Sequence, residues 1–178
     1  MEKARVIAAT RSNEELLAAV ESNAEIIFML APKISEIKKQ ADAVHKAGKK
    51  IFIHLDLAEG IGKDEHGIRF AKEQGIDGII STRANIIKCA KKEDMFAVQR
   101  FFAVDSQSVF TIVETAKASK ADMIEIMPGT VTKVIRKLKK ELNMPIVAGG
   151  LIETAKEVEE AIKCGASAVS AGNRELWK

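Results

Sequence analysis

Cysteine is scarce in this chain. Its 178 residues include two, Cys89 and Cys164, in no CxxC pair and at no metal-ligand spacing. That excludes a disulfide framework and a zinc ribbon, and leaves two free thiols of the kind a reducing compartment keeps. Aromatic residues make up 4% of the chain. No aromatic ladder runs through the basic clusters, so the stacking platform of RNA-recognition sheets is not expected. No leader with a charged, an apolar and a small-residue region opens the chain. No apolar run approaches the ~18 residues of a membrane span, and the expectation is a cytoplasmic protein. There is no GxGxxG, no Walker loop, no GxSxG elbow and no HExxH, so the common dinucleotide, nucleotide, serine-hydrolase and zinc-protease signatures are missing. Lys plus Arg is 28 and Asp plus Glu is 25, a net charge of +3. That permits an anionic partner without demanding one.

What is present is an alternation of two periods over the whole length, read as a single domain over 1–178. Short apolar runs recur at Val6–Ala9, Glu25–Leu30, Lys50–Leu57, Gly78–Ser81, Met95–Ala103, Met123–Met127, Pro145–Ala148 and Ala166–Ala171. Near-continuous Ile, Val and Phe runs are the pattern of strands buried on both faces in a parallel sheet. Between them, apolar residues follow helical spacing: Ile34, Ile37, Ala41 and Val44; Val109, Ile112, Val113 and Ala116; Val131, Val134, Ile135, Leu138 and Leu142. Ser12 with Glu15 and Thr154 with Glu157 have capping-box spacing. Pro32 suits a first helical turn. Gly48, Gly75 and Gly165 stand where helices hand over to strands.

Eight strand–helix units in this length predict an α/β fold, a small (β/α)8 TIM-like barrel with short helices and a clipped last unit. An open doubly wound sheet is the competing architecture. In a parallel barrel, function gathers at the C-terminal ends of the strands. Polar residues gather there: Thr10-Arg11, His54 with Asp56, Ser81-Thr82-Arg83, Gln99-Arg100, Glu125 before Pro128-Gly129, Gly149-Gly150 and Ser170 to Asn173. Gly149, Gly150 and Leu151 open the seventh loop, and Gly172 and Asn173 the eighth. Exposed N–H groups in these two loops form the usual phosphate site of such barrels. His54, Asp56 and Glu125 admit three readings: a pocket lining or structural polar network, a metal site, or an acid–base set. Phe96, Phe101 and Phe102 read as core. Lys133, Arg136, Lys137 and Lys140 crowd one helix outside its apolar stripe, as a solvated face or as a footprint for nucleic acid.

Taken together, these stretches resemble the glycerol uptake operon antiterminator regulatory proteins. The resemblance is carried by His54-Leu55-Asp56-Leu57 with Gly60-Ile61 and Asp64; by Gly78 to Arg83 with Asn85; by Ala97-Val98-Gln99-Arg100 with Phe102 and Asp105; by Glu125 to Gly129; by Pro145 to Ile152; and by Gly165-Ala166 through Asn173 to Leu176-Trp177. It implies a barrel-like fold and a protein that binds glycerol 3-phosphate and then an mRNA leader, with no catalysis, no metal and no cofactor. It would rest the phosphate on Gly149, Gly150, Gly172 and Asn173. His54, Asp56, Arg100 and Glu125 are then candidates for the glycerol hydroxyls, a choice made from their strand-end positions. Lys133, Arg136, Lys137 and Lys140 are the candidate RNA contacts. An enzyme acting on a phosphorylated metabolite is the alternative, and a homo-oligomer is expected.

Overall fold

The computed structural model describes residues 6–178, and the sequence-based prediction for residues 1–5 lies outside them. Eight parallel strands close on themselves in chain order: β1 (Val6–Thr10), β2 (Ile26–Met29), β3 (Lys50–His54), β4 (Gly78–Ser81), β5 (Phe96–Phe102), β6 (Met123–Met127), β7 (Ile146–Gly149) and β8 (Ala168–Ala171). The register of β1 against both β2 and β8 closes the barrel. Seven helices alternate with the strands: α1 (Asn13–Glu21), α2 (Ile37–Lys46), α3 (Glu65–Glu73), α4 (Ala84–Lys92), α5 (Ser106–Ser119), α6 (Thr132–Glu141) and α7 (Ala155–Lys163). In place of an eighth helix, a short 3-10 turn, Arg174–Trp177, folds back under the barrel. This is the TIM-like barrel with a clipped last unit.

The alternation of side chains along each strand makes two cores. Ile7, Phe28, Leu30, Phe52, Ile80, Val98, Val147 and Ala168 fill the inside of the barrel. The residues between them face outward and pack under the helices. One outer cluster lies beneath α1 to α4, around Ile27, Ile53, Ile79, Ile86 and Ile87. A second lies beneath α5 to α7, around Ile112, Ile124, Ile135, Leu138 and Val169. Trp177 pins the last turn: its ring N–H donates to the Ala171 carbonyl at 2.8 Å, and its own carbonyl accepts from the Asn23 N–H at 2.9 Å.

The caps follow the sequence. Ser12 accepts from the Glu15 N–H, and Thr154 and Glu157 form a reciprocal capping box. Gly75 and Gly165, each between a helix and the next strand, adopt φ of +91° and +109°, which a residue with a Cβ enters only at a cost.

Three expectations are corrected. The third apolar run is a strand only to His54; Leu55–Leu57 is a 3-10 turn, because the chain must leave the sheet to place Asp56 against β4. The second helix begins at Ile37, so Pro32 lies in the preceding loop, and Ile34 sits outside the helix, 47% exposed. Phe102 is 54% exposed at the barrel rim and Phe96 is 37% exposed at the opposite end, its ring tilted by 40° against Phe52 with the centroids 5.2 Å apart. Both occupy strand ends, where alternation points a side chain inward but no further layer covers it.

Candidate ligand site at the barrel mouth

Above the apolar interior, the next inward layer is polar. Arg100 on β5 pairs with Glu125 on β6, Nε to Oε2 at 2.6 Å, because the two residues stand in register across the ladder. Both are buried. The second carboxylate oxygen, Oε1, accepts from the Ser170 hydroxyl on β8 at 2.6 Å. An ion pair out of water survives only when its remaining lone pairs are filled, and Ser170 fills one. From the other side, Arg100 Nη1 lies 3.4 Å from His54 Nδ1 on β3. Arginine has no acceptor, so the ring accepts at Nδ1 and carries its proton on Nε2. That nitrogen is 3.4 Å from Asp56 Oδ2 without the alignment of a hydrogen bond.

Asp56 is the hub of the β3–β4 corner. Its Oδ1 accepts from the Ser81 hydroxyl at 2.6 Å, and its Oδ2 accepts from the Thr82 N–H at 2.7 Å and the Thr82 hydroxyl at 2.8 Å. Arg83 Nε stands 3.8 Å from Oδ1. Burial alone pushes this carboxyl up. The His54, Ser81 and Thr82 contacts outweigh it and hold Asp56 well below the usual carboxylate range.

The β7–β8 corner is built differently. Gly149 is glycine because nothing else fits: a Cβ there would stand 2.3 Å from Glu125 Oε1 and 2.6 Å from Ser170 Oγ. The β6 loop props the β7 loop from behind, where the Gly129 N–H donates to the Gly149 carbonyl at 2.6 Å and the Gly150 carbonyl at 3.0 Å. Gly150 and Leu151 both take positive φ, +74° and +58°. For Leu151 this is a strained backbone, costing roughly 1 kcal/mol, and its side chain is 70% exposed. Strain of this kind is stored at functional loops. The Asn173 side chain ties the two loops together, donating to the Glu153 carbonyl at 2.8 Å and accepting from the Glu175 N–H at 3.1 Å. The N–H groups of Gly150, Leu151, Ile152, Gly172 and Asn173 meet no acceptor among the described residues. The Glu153 and Thr154 N–H groups beside them are taken by Glu157, at 2.9 Å each.

The structure thus draws His54, Asp56, Arg100 and Glu125 into one chain of contacts across the mouth. It sets Gly149, Gly150, Leu151, Gly172 and Asn173 beside it, with Glu125 and Ser170 as the joint. With both Glu125 oxygens engaged and Asp56 saturated, these carboxylates are committed to holding the mouth together. No three His, Cys, Asp or Glu side chains gather as a metal set among the described residues. The sequence reading placed Ser170 and Ser81 at strand ends without singling them out; the signal was their register beside Glu125 and Asp56. Gln99, fully buried and facing outward, has neither amide atom hydrogen-bonded among the described residues. Of the other strand-end arginines, Arg11 is exposed and Arg83 reaches toward Asp56.

The model of the glycerol-3-phosphate responsive antiterminator family matches residues 6–177. The chain belongs to that family. A crystal structure of a glycerol uptake operon antiterminator regulatory protein from Listeria monocytogenes is 34% identical, covers 97% of this chain and 94% of its own, and superposes with a TM-score of 0.91. A glycerol uptake operon antiterminator-related protein from Thermotoga maritima is 33% identical, covers 98% of each chain, and gives 0.87. An uncharacterized Escherichia coli protein, YgcP, is 38% identical over 97% of this chain and 91% of its own length. Beyond the antiterminator family, a deoxyribose phosphate aldolase from Aeropyrum pernix, at 14% identity and a TM-score of 0.75, shares the barrel alone. No described helix is long and apolar enough to cross a membrane.

Proposed function

We propose that this protein is a glycerol-3-phosphate-responsive antiterminator that binds RNA and regulates genes of glycerol uptake and use. The observation that carries the reading is the antiterminator family match over residues 6–177. The free N–H groups of Gly150, Leu151, Ile152, Gly172 and Asn173 support it. A phosphate has acceptors on every side, and N–H groups converging from two loops suit it. In this pose Gly149 leaves room for Glu125 and Ser170 beneath the ligand. The glycerol hydroxyls then face Arg100, Glu125 and His54. Asp56, already engaged by Ser81 and Thr82, contributes by holding the β3–β4 corner beside His54, and Asn173 by holding the two loops together. The ligand acts as an effector, shifting the loops towards the state that binds it better, and by no more than its differential affinity for the two states. The enzyme reading is weaker, because Glu125 as a general base would first have to leave Arg100 and Ser170.

Calorimetry tests the ligand, with glycerol 3-phosphate against glycerol and inorganic phosphate. Glycerol 3-phosphate is expected to bind saturably and at least about tenfold more tightly than either fragment, a difference of ~1.4 kcal/mol. Gly172→Asp supplies the matched variant. Gly172 has ordinary φ and open surroundings, with the Ala9 carbonyl oxygen 3.8 Å from a Cβ built there. A carboxylate therefore enters without strain and repels the phosphate. Equal binding of inorganic phosphate and glycerol 3-phosphate, or undiminished binding by the variant, would overturn this assignment.

A further inference from the structure

We infer that the groove between α5 and α6 is the docking surface for a single-stranded RNA segment, which enters beside the barrel mouth. The inference rests on the RNA-binding reading above and adds the place and the contact chemistry. The groove has a volume of about 500 Å³ and is lined by the β5–α5 loop, Ala103 to Ser106, by Val109, and by Val131, Lys133, Val134 and Lys137 of α6 and its approach. Lys133, Lys137 and Lys140 follow one another at helical spacing and form a single stripe along α6. None of these three has an ion-pair partner among the described residues, and neither do Lys117 and Lys120 at the end of α5. On the other side of the barrel the cations are mixed: Lys38 pairs with Asp42, Arg69 with Glu65 and Glu93, and Lys91 with Asp122, while Lys39, Lys46, Lys88 and Lys92 have no ion-pair partner among the described residues and line no groove with the α6 stripe. Asp105, the one carboxylate lining the groove, is turned to its own helix and accepts from the Ser108 N–H at 2.7 Å. The remaining α6 cations face away: the Arg136 guanidinium lies 3.2 Å from Cys164 Sγ, and the Lys139 stem packs over Gly165, both towards α7.

Two exposed apolar side chains accompany this basic stripe: Val104, which lines the groove, is 80% exposed, and Phe110 on α5 is 62% exposed. Phe110 is one helical turn on from Ser106, which lines the groove. Exposed aromatic faces beside unpaired cations are the two elements a single strand uses, stacking for the bases and charge for the backbone. A second copy of this chain fits worse, since a two-fold contact through this face would set the same unpaired lysines against one another. The position also ties the groove to the ligand. One strand, β5, carries Arg100 into the mouth and Phe102 to its rim, and its following loop forms the groove wall. The Ala103 N–H is held by the Met127 carbonyl at 2.8 Å, directly beyond Glu125 on β6.

The test is fluorescence anisotropy with a labelled 20-nucleotide oligouridine RNA and an RNA duplex of equal length, from low to physiological salt. The wild type is expected to prefer the single strand. Phe110→Ala should weaken it at least about fivefold, the lower end for one lost stacked base. The double variant Lys133→Ala, Lys137→Ala should lower the magnitude of the log–log salt slope by about 1.4, at ~0.7 per phosphate contact on a single strand. Lys38→Ala, Lys39→Ala on α2 is the charge-matched control and should change neither. Glycerol 3-phosphate calorimetry on the same variants should match the wild type. Wild-type binding left unchanged by the groove variants would overturn the surface and leave the RNA reading standing. So would equal losses in the α2 control. No binding of either RNA at low salt would remove the RNA reading and the surface with it. A dimer that Phe110→Ala dissolves, with RNA affinity intact, would give the groove to a second copy instead.

Discussion

The β3–β4 corner of the barrel mouth and the β7–β8 corner use the same materials, loop N–H groups and short polar side chains, and end in opposite states. At the first, Asp56 reaches out of its 3-10 turn and takes the Ser81 hydroxyl and both donors of Thr82. At the second, Glu157 takes the N–H groups of Glu153 and Thr154 and stops there; those of Gly150 to Ile152, Gly172 and Asn173 stay open. A loop rich in N–H groups needs negative charge or water to fill it. Where the chain supplies a carboxylate, the corner's donors are filled from within. Where it supplies none, they stay free for the phosphate of the proposed ligand. The eight loops of one barrel can therefore differ in function through where a few carboxylates fall.

The interior network joins the two corners, and cutting it has the largest expected effect. Glu125→Ala leaves Arg100 buried and uncompensated and takes the acceptor from Ser170, a loss of about 3–5 kcal/mol by urea unfolding. Glu125→Gln keeps the shape and one acceptor and should cost clearly less. If the two variants unfold alike with little loss, the corners are independent and the contrast is only local. Asp56→Asn comes next. It weakens the contacts to Ser81 and Thr82 and should cost about 2 kcal/mol at neutral pH. Because folding holds the Asp56 carboxyl below its usual value, its stabilisation is complete above about pH 4 and is lost as pH falls towards the folded-state value. The gap between wild type and Asp56→Asn should therefore hold constant from pH 7 to about pH 5 and narrow progressively as the pH falls below about 4, towards the folded-state value. A gap that does not narrow between about pH 5 and the lowest pH at which both proteins remain folded would break the assignment of this corner to the charge. The smallest effect is expected for Glu157→Ala. It opens the capping box of α7 at a cost of about 2 °C in Tm, with glycerol 3-phosphate affinity unchanged. A loss of that affinity would move the ligand towards the helix end and blur the line between filled and open donors.

Much of this architecture was legible in the sequence. Gly78–Ser81 and Met123–Met127 are strands with the bounds their apolar runs predict, because residues buried on both faces leave no ambiguity of period. Positive φ at Gly48, Gly75 and Gly165 follows from their place between helix and strand. Strand ends were harder. The run through Leu57 is apolar throughout, and only the pull of Asp56 towards Ser81 shows where β3 stops. Phe102 continues the inward alternation of Val98 and Arg100, and pattern alone cannot tell that the interior has run out beneath it. At the site, the glycines of the seventh loop and the residues of the eighth stood out by composition. That Asp56 is saturated while Gly172 is open depends on side-chain reach, which spacing does not encode. The basic helix divides in the same way: Lys133 and Lys137 line a groove, whereas Arg136, one residue away, leans on Cys164.

The chain holds one tryptophan and no tyrosine, and that tryptophan is the buried anchor of the last turn, five residues beyond Gly172. Near-ultraviolet emission from this molecule therefore comes from a single point, fastened to the Ala171 carbonyl at the end of β8 and to the Asn23 N–H leading into β2. The protein carries its own optical gauge on the strand whose loop is left open. Any movement of that loop that loosens the anchor can be read as a change in colour or intensity, without a dye and without altering a residue.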